Sequence, residues 1–570
     1  MKKRWTIKEN SEASTILSLS KELNNLDPTL TNILIQRGID TFDKAKAFFR
    51  PNIEATHDPF LMKDMDKAVS RVQKAIEENE TILIYGDYDV DGTTSVALVY
   101  SFLKGLHDKI HYYIPDRYQE GYGISFKGID FAEEKGISLI IALDCGIKAN
   151  EKIDYANKKG IDFIICDHHL PGKELPKAHA ILDPKRIDCN YPFKELSGCG
   201  VGYKLMQAFS EKENIPQEKL TEKLDILAVS ICADIVPIIE ENRIFTHFGL
   251  QKLNSNPQKG FKAMLATANI KRKELTVTDV VFTLAPRINA AGRIESGNKA
   301  VAAMLSGDSE SAEMASASIN ENNIDRRTLD KLITEEAIAM IESNEKLLKQ
   351  KTTVLFKEDW HKGVIGIVAS RCIESYYRPT IILTESNGKV AGSARSVKGY
   401  SVYDAIEKCS DLLEQFGGHK YAAGMTLKKE NVSAFQKKFE EVVSATITDD
   451  LLIPEIEIDS ELDLSAITPK FNKILKQLAP FGPKNMKPVF LSKAVKEKGF
   501  ARIVGNDHLK LDLFDPSNET VQLPAIAFNL GQHLDGIKSG NPFDVVYTIE
   551  ENEWNGVVSL QLNIKDIRPS

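Results

Sequence analysis

Residues 81–95 read TILIYGDYDVDGTTS. Thr81 to Tyr85 form a short apolar, β-branched run ending at Gly86, which predicts a buried strand of a parallel sheet. Asp87, Asp89 and Asp91 follow at alternate positions, and Gly92 closes the set. Thr93 and Thr94 then offer an N-cap for a helix through Val96, Leu98, Val99 and Phe102. The acids fall at the carboxyl end of a strand, where open α/β sheets place their ligand crevice. Three carboxylates this close repel one another unless cations or protons neutralise them. An EF-hand begins in the same way but needs a Glu at its twelfth position, and the twelfth residue from Asp87 is Leu98. Alone, the stretch fits a metal site or a solvated turn.

The pattern recurs. Ser138 to Leu143 (SLIIAL) ends in Asp144-Cys145-Gly146, and Asp162 to Cys166 (DFIIC) ends in Asp167-His168-His169. A later apolar run, Ile226 to Cys232, leads to Asp234 and Pro237. Four apolar segments that each deliver an acid or a His to one sheet edge are hard to explain as solvated turns. Asp and His without a thiolate suit Mn²⁺ or Mg²⁺ better than structural Zn²⁺. The carboxylates suffice for two ions sharing a bridging Asp, and two ions about 3.5–4 Å apart are a common device for hydrolysing phosphate esters.

Gly86-Asp87-Tyr88-Asp89-Val90-Asp91-Gly92 together with Asp167-His168-His169 resembles the DHH phosphoesterase superfamily, and within it the RecJ family of single-strand-specific 5′→3′ DNA exonucleases. The resemblance covers nearly the whole chain. It implies two cations, Mn²⁺ or Mg²⁺, held by Asp89, Asp91, Asp144, His168 and Asp234, with Asp144 as the bridge. Asp87 and Asp167 would orient water or His168, and His169 would touch the scissile phosphate. It further implies release of 5′-mononucleotides from single-stranded DNA in repair and recombination, with a single-strand-binding protein and a helicase as partners and the chain a monomer.

Further motifs follow. Pro115-Asp116-Arg117, before Glu120-Gly121-Tyr122-Gly123, sets an Arg beside glycines; on its own this is a surface turn, and the resemblance puts Arg117 near the 5′ end of the strand. Ser197-Gly198-Cys199-Gly200-Val201-Gly202 precedes a helix and is explained as well by close packing on the sheet as by a phosphate cradle; the resemblance implies a structural place beside the site. Pro286-Arg287-Ile288-Asn289-Ala290-Ala291-Gly292-Arg293, after an apolar strand-like run, reads as a turn whose Arg287, Asn289 and Arg293 suit a phosphodiester. Ser393-Ala394-Arg395 and Gly417-Gly418-His419-Lys420-Tyr421-Ala422-Ala423-Gly424 resemble the DHHA1 companion domain, which implies that Ser393, Arg395 and His419 grip the nucleotide opposite the metals.

The expected fold class is α/β. Residues 1–75 read as a helical lead-in covering a sheet edge. Residues 76–308 alternate strands and helices and predict a doubly wound parallel-sheet DHH domain. Residues 309–349 are a long polar helical connector with Asp325-Arg326-Arg327 on a solvated face. Residues 350–446 form a smaller α/β DHHA1 domain. Residues 453–570 hold about five short strands and suit an OB-like β-barrel, a fold that binds single strands by a basic groove and stacked aromatics. Near its start, Lys484 and Met486 depart from the P-F-G-x-G-N-P pattern of RecJ proteins.

Composition is that of an ordinary globular protein of 570 residues, 42% hydrophobic and 27% charged. No apolar run approaches the roughly 20 residues of a membrane span, and the N-terminus has no apolar stretch behind its basic residues, so neither membrane nor secretion is expected. Seven scattered Cys without a CxxC pair read as reduced thiols of a cytoplasmic protein. The net charge of −8 argues against a nucleic-acid partner, although carboxylates that bind cations count towards it and phosphate contacts depend on local Lys and Arg. Two rivals remain. A DHH/DHHA1 phosphodiesterase for oligoribonucleotides or cyclic dinucleotides is disfavoured by Pro454 to Ser570 and by Tyr85, where such enzymes carry a His. A non-catalytic relative is disfavoured because every acid is present.

Overall fold

The computed structural model describes residues 2–270, 274–554 and 556–570. The chain divides into two compact units, Ile53–Leu452 and a second made of Met1–Asn52 with Ile453–Ser570.

Within Ile53–Leu452, five parallel strands form the first sheet. Ile110–Tyr113 lies at one edge, followed by Ile82–Gly86, Leu139–Leu143, Asp162–Cys166 and Ala180–Leu182. In chain order this is 2-1-3-4-5, one of the doubly wound arrangements. The strand sequences show why both faces are covered. Ile82, Ile84, Leu139, Ile141, Leu143 and Ile164 join one core, whereas Leu83, Tyr85, Ile140, Ala142, Phe163 and Ile165 join the other. Alternation of period two places successive residues of each strand on opposite faces. The strand order reverses between Ile82–Gly86 and Leu139–Leu143, so the loops after these strands open the crevice where ligands bind in such sheets.

Some expected local structure is different. Ile226 to Cys232 is not a strand but part of the helix Leu224–Ala233, an all-buried run that cannot be told from a core strand by periodicity. Pro286 to Arg293 lies in the helix Ala285–Ile294 rather than a turn, and the run before it is a π-helical turn, Val280–Leu284. The helix after the first acidic loop starts at Val90, earlier than Thr93 and Thr94 suggest; Asp89 caps it by accepting from Gly92 N–H at 2.9 Å. The connector is the helix Ser309–Glu342 followed by Glu345–Lys349. Arg326 is not simply solvated there, because it pairs with buried Asp330 at 2.7 Å, and Arg371 pairs with the same carboxylate at 2.8 Å.

A second, mixed sheet completes this unit. Thr353–Phe356 runs parallel to Thr380–Ser386, followed by antiparallel Lys389–Arg395, Ala422–Leu427 and Gln415–His419. The glycine-rich segment 417–424 is therefore a hairpin.

In the other unit, Phe490–Glu497, Phe543–Trp554, Val557–Pro569, Asn518–Ala527 and His508–Asp515 pair in succession, and the last pairs again with the first. Five strands thus close into a ring, the OB-like arrangement. Lys484 takes a left-handed φ of 59° where the family pattern has Gly. The N-terminal lead-in divides: the helix Met65–Glu77 packs Met65, Ala68, Val69 and Val72 into a core of the parallel sheet as expected, whereas residues 1–52 belong to the other unit. Arg4–Ile7 is a strand, and it pairs in parallel with Glu455–Ile458. Leu30, Ile33 and Leu34 of the helix Pro28–Gln36 lie in the barrel core. Their i, i+3, i+4 spacing makes an apolar stripe that must be buried against something, and sequence proximity wrongly suggested the first sheet.

Candidate active site

Five loops and helix ends converge at the carboxyl edge of the parallel sheet. The loop after Ile82–Gly86 turns so tightly that a Cβ on Gly92 would stand 2.5 Å from the backbone N and O of Asp87. Asp87 is fully buried; its Oδ1 accepts from Gly123 N–H at 3.3 Å and its Oδ2 has no partner. Asp91 sits in the first turn of the helix Val90–Lys104, and three donors meet on it: Gly198 N–H at 2.6 Å, Cys199 N–H at 2.9 Å and Ser230 Oγ at 2.6 Å. Two of these are the free amides at the start of the helix Gly198–Lys212, an end that favours an anion. Gly198 is obligatory, because its Cβ would lie 2.5 Å from Cβ of Asp144.

Asp144 follows Leu139–Leu143 in a left-handed conformation, φ 59°, a local strain of the kind that gathers at functional sites. Its Oδ1 is buried without a hydrogen-bond partner. His168 donates from Nδ1 to the Leu196 carbonyl at 3.0 Å. Its Nε2 therefore turns a lone pair toward three carboxylates: Asp144 Oδ1 at 3.2 Å, Asp234 Oδ2 at 3.6 Å and Asp91 Oδ2 at 3.7 Å. Asp167 accepts from the backbone of Ile147 and from His169 Nδ1 at 2.7 Å.

Electrostatics follow this layout. Burial, then the neighbouring carboxylates, pushes Asp87, Asp144 and Asp234 well above the usual carboxylate range and raises Asp89. Burial would raise Asp167 also, but the His169 hydrogen bond and charge overcome it and hold the carboxyl at about 2. Burial lowers His168, whereas the hydrogen bond and charge of Asp167 outweigh desolvation and raise His169, whose side chain is partly exposed. Behind them Asp183, fully buried at the end of Ala180–Leu182, is pushed up to about 7 by burial.

Such a set fits hard divalent cations. Among the described residues two groups have ligand atoms mutually within 4.8 Å: Asp144 with His168 and His169, and Asp91 with His168 and Asp234. The residue common to both is His168, while Asp144 is the carboxylate that feels Asp91, Asp89, Asp234 and Asp167 together. Asp89, Asp91, Asp144, His168 and Asp234 could hold two ions, since unpaired buried oxygens and mutually raised carboxyls are what a cation relieves. Asp89 spends one oxygen on its helix cap. Tyr85 does not project here; its ring lies in the opposite core and its hydroxyl donates to the Gly123 carbonyl at 3.0 Å.

Beside the acids stands a basic group. Gly292 brings the helix Ala285–Ile294 against Tyr88 of the acidic loop; a Cβ there would meet the Tyr88 carbonyl at 2.7 Å. Arg293, one residue on, donates to the Gly363 carbonyl at 3.0 Å. Arg117 stacks over the Tyr88 ring at 5.0 Å, and Arg395 donates to Ser393 Oγ at 3.1 Å. Burial together with Arg117, Arg395 and Arg326 lowers Arg293 to about 9. Burial and then Arg395 and His169 lower His419. Among the described residues none of Arg117, Arg293 and Arg395 has an acidic partner, so the cluster has guanidinium donors to offer an anion. Arg287 is not brought into it: its Nε donates to Asn320 at 3.1 Å and its Nη1 to the Thr283 carbonyl at 2.7 Å. Asn289 lies four residues before Arg293 and so on the same helix face.

Sequence reading missed Tyr122, whose exposed ring stands edge-on to His169 at 6.1 Å and whose hydroxyl lies 3.3 Å from the Asp144 carbonyl. It also missed Ser230, and Tyr118, which hydrogen-bonds the Arg293 carbonyl. Only the Gly121-Tyr122-Gly123 spacing hinted at Tyr122.

Fold and site together define a two-lobed phosphoesterase of the DHH/DHHA1 class. Matches to known families agree: the DHH family, N-terminal domain, over residues 81–231, the DHHA1 domain over 349–445, and the RecJ OB domain over 458–566. The chain belongs to the RecJ family. Single-stranded-DNA-specific exonuclease RecJ of Bacillus subtilis is 38% identical over 568 residues, covering 99% of this chain and 71% of its own. The Escherichia coli protein of the same name is 33% identical over 531 residues, covering 89% and 91%. The crystal structure of RecJ in complex with Mn²⁺ from Thermus thermophilus matches with a TM-score of 0.85 at 25% identity, over 100% of this chain and 80% of that one.

Proposed function

We propose that this chain is a metal-dependent exonuclease that hydrolyses single-stranded DNA 5′→3′ and releases 5′-mononucleotides. The observation that carries the reading is the juxtaposition of a buried, cation-seeking carboxylate cluster with three arginines that lack acidic partners among the described residues. Family membership and the names of the relatives support the substrate.

Asp89, Asp91, Asp144, His168 and Asp234 would hold two Mn²⁺ or Mg²⁺ ions. When bound, such ions supply Lewis acidity and lower the pKa of water to yield a nucleophile near neutral pH. The remaining groups position the strand. Arg117, Arg293, Arg395, Ser393 and His419 bind the terminal 5′-phosphate, which sets the polarity. His169, its Nδ1–H fixed on Asp167, presents Nε2 to the scissile phosphate. Asp87 and Asp167 hold the loop and this tautomer in place. Arg287 and Asn289 meet the next phosphates. A strand-specific enzyme needs its strand freed from duplex, which supports a helicase and a single-strand-binding protein as working partners. Seven buried, unbridged cysteines support a reducing cytoplasm. Among the described residues no helix is long and apolar enough to cross a membrane.

The test is a 5′-labelled single strand incubated with the protein and Mn²⁺. The expected first product is a labelled mononucleotide, with a matched duplex cut far more slowly. Early release of label from a 3′-labelled strand would reverse the polarity.

A further inference from the structure

A π-helical turn, Val280–Leu284, interrupts the path from Val277–Asp279 into the helix Ala285–Ile294. Val280 and Leu284 anchor it in the core, yet Phe282 between them is 76% exposed. A phenyl ring held in water costs solvation free energy that most positions avoid, and single π-turns within helices recur at functional sites.

The surroundings are cationic. Arg287 lies one turn on and is tied by Asn320 to the connector helix Ser309–Glu342. Burial, then the charges of Arg327 and Arg326 on that helix, depresses Arg287. Arg326 also depresses Arg293. Arg293 thus senses Arg117, Arg395 and Arg326, and Arg287 senses Arg326 and Arg327, with Arg326 itself paired to Asp330. Among the described residues neither Arg287 nor Arg327 has an acidic partner. Intervals of three and four keep Pro286, Asn289 and Arg293 on one side of the helix Ala285–Ile294, and Phe282 lies in the π-turn that leads into it. Eleven residues, the first of them π-helical, put Phe282 at most about 16 Å along the axis from Arg293, a span that a few nucleotides bridge.

We propose that Phe282 is a stacking platform for a nucleobase a few nucleotides to the 3′ side of the cleaved bond, on a strand whose phosphates pass this cationic neighbourhood. The inference rests on the nuclease reading and extends it to the substrate beyond the first nucleotide. Alternating cations with an exposed ring is the means by which proteins hold single strands without reading sequence. A protein partner would need a wider apolar surface than one ring amid arginines.

Phe282→Ala in the full chain with Mn²⁺ tests this. Stacking lost from one base raises the KM for a strand of about twelve nucleotides roughly tenfold more than the KM for a 5′-phosphorylated dinucleotide, with kcat little changed. Phe282→Trp restores the long-strand KM, whereas Phe282→Leu, apolar without a ring, does not. Equal loss on long and short substrates, rescue by Leu, or no change on the long strand would overturn the proposal. A second arm uses binding alone. Fluorescence anisotropy of a labelled strand of about twelve nucleotides, in Ca²⁺ in place of Mn²⁺, should show weaker binding by Phe282→Ala. If wild type cuts no strand, the nuclease reading fails while this arm still decides the platform.

Discussion

Nε2 of His168 and Oδ1 of Asp144 face each other across 3.2 Å. His168 donates its Nδ1–H to the Leu196 carbonyl, and burial disfavours the charged ring; in the neutral ring two lone pairs point at one another. Only a shared proton or a cation makes that arrangement favourable in a buried site.

The first prediction concerns removal of that cation. Asp144, like Asp87 and Asp234, is raised above its unfolded value. A raised carboxyl contributes stability that is fully present below about pH 3.9 and lost as pH rises through the folded pKa. Metal-free protein at neutral pH should therefore melt low. Mn²⁺ at about a hundred times its Kd should restore about 2.7 kcal/mol. Asp144→Asn should raise the melting temperature of the metal-free protein, abolish most of the Mn²⁺-induced shift, and cut cleavage at least about a hundredfold. Calorimetry with and without EDTA reads the first two; an unchanged Mn²⁺ shift would remove Asp144 from the ligands.

The second prediction follows from Asp167, which lies 2.7 Å from His169 Nδ1. That contact holds Asp167 at about 2 and raises His169. The depressed Asp167 adds stability that is present above about pH 3.9 and lost as pH falls toward 2, while the raised His169 adds stability that is present below about pH 6.5 and lost as pH rises through its folded pKa. In Asp167→Asn the imidazole loses its partner and deprotonates earlier. The alkaline limb of kcat/KM against pH should move to lower pH, and protection against acid unfolding should shrink. A limb that stays in place would show that His169 does not carry the required proton.

Much of this site was legible in the chain because strands deliver their next residues to one edge. Asp87, Asp89, Asp91, Asp144 and Asp167–His169 all follow short apolar runs. Asp234 was legible as a residue and misread in its element, since Leu224–Ala233 is buried all round and shows no helical stripe. The anchoring of Asp91 on Gly198 and Ser230 was hidden, because those contacts span 107 and 139 residues of chain. Arg287 was misplaced for a geometric reason: in a turn it would sit beside Arg293, but six helical residues set the two on different faces. Lys484 and Met486 left the barrel recognisable, because the strand pairings after Phe490 do not depend on that turn.

Gly198 supplies the third prediction. A Cβ there would stand 2.5 Å from Cβ and 2.8 Å from Cα of Asp144. Gly198→Ala must displace either the start of the helix Gly198–Lys212 or Asp144, at a cost of about 1–3 kcal/mol. Because Gly198 N–H also serves Asp91, activity should fall further than stability alone explains. Gly307→Ala, with nothing within 4 Å of its Cβ, is the control and should leave both unchanged. Cleavage rates measured well below the melting temperature separate the effects, and near-normal cleavage by Gly198→Ala would contradict the geometry.

The division of the chain changes how the barrel must be tested. Truncating residues 453–570 alone leaves Leu30, Ile33 and Leu34 without the core they are buried in, and leaves Arg4–Ile7 without its pairing strand. Fully burying one such side chain contributes roughly 1.5–3 kcal/mol, so the residual segment 1–52 should be exposed and prone to aggregate. A chain of residues 53–452, lacking both parts of the unit, should stay soluble and keep both the carboxylate cluster and the arginine group. It should cleave a 5′-phosphorylated dinucleotide at close to the full-length rate and lose affinity for long strands. Size-exclusion chromatography of the two truncations, with kcat/KM on short and long substrates, checks this. Loss of dinucleotide cleavage by soluble 53–452 would mean that the barrel unit takes part in the site itself.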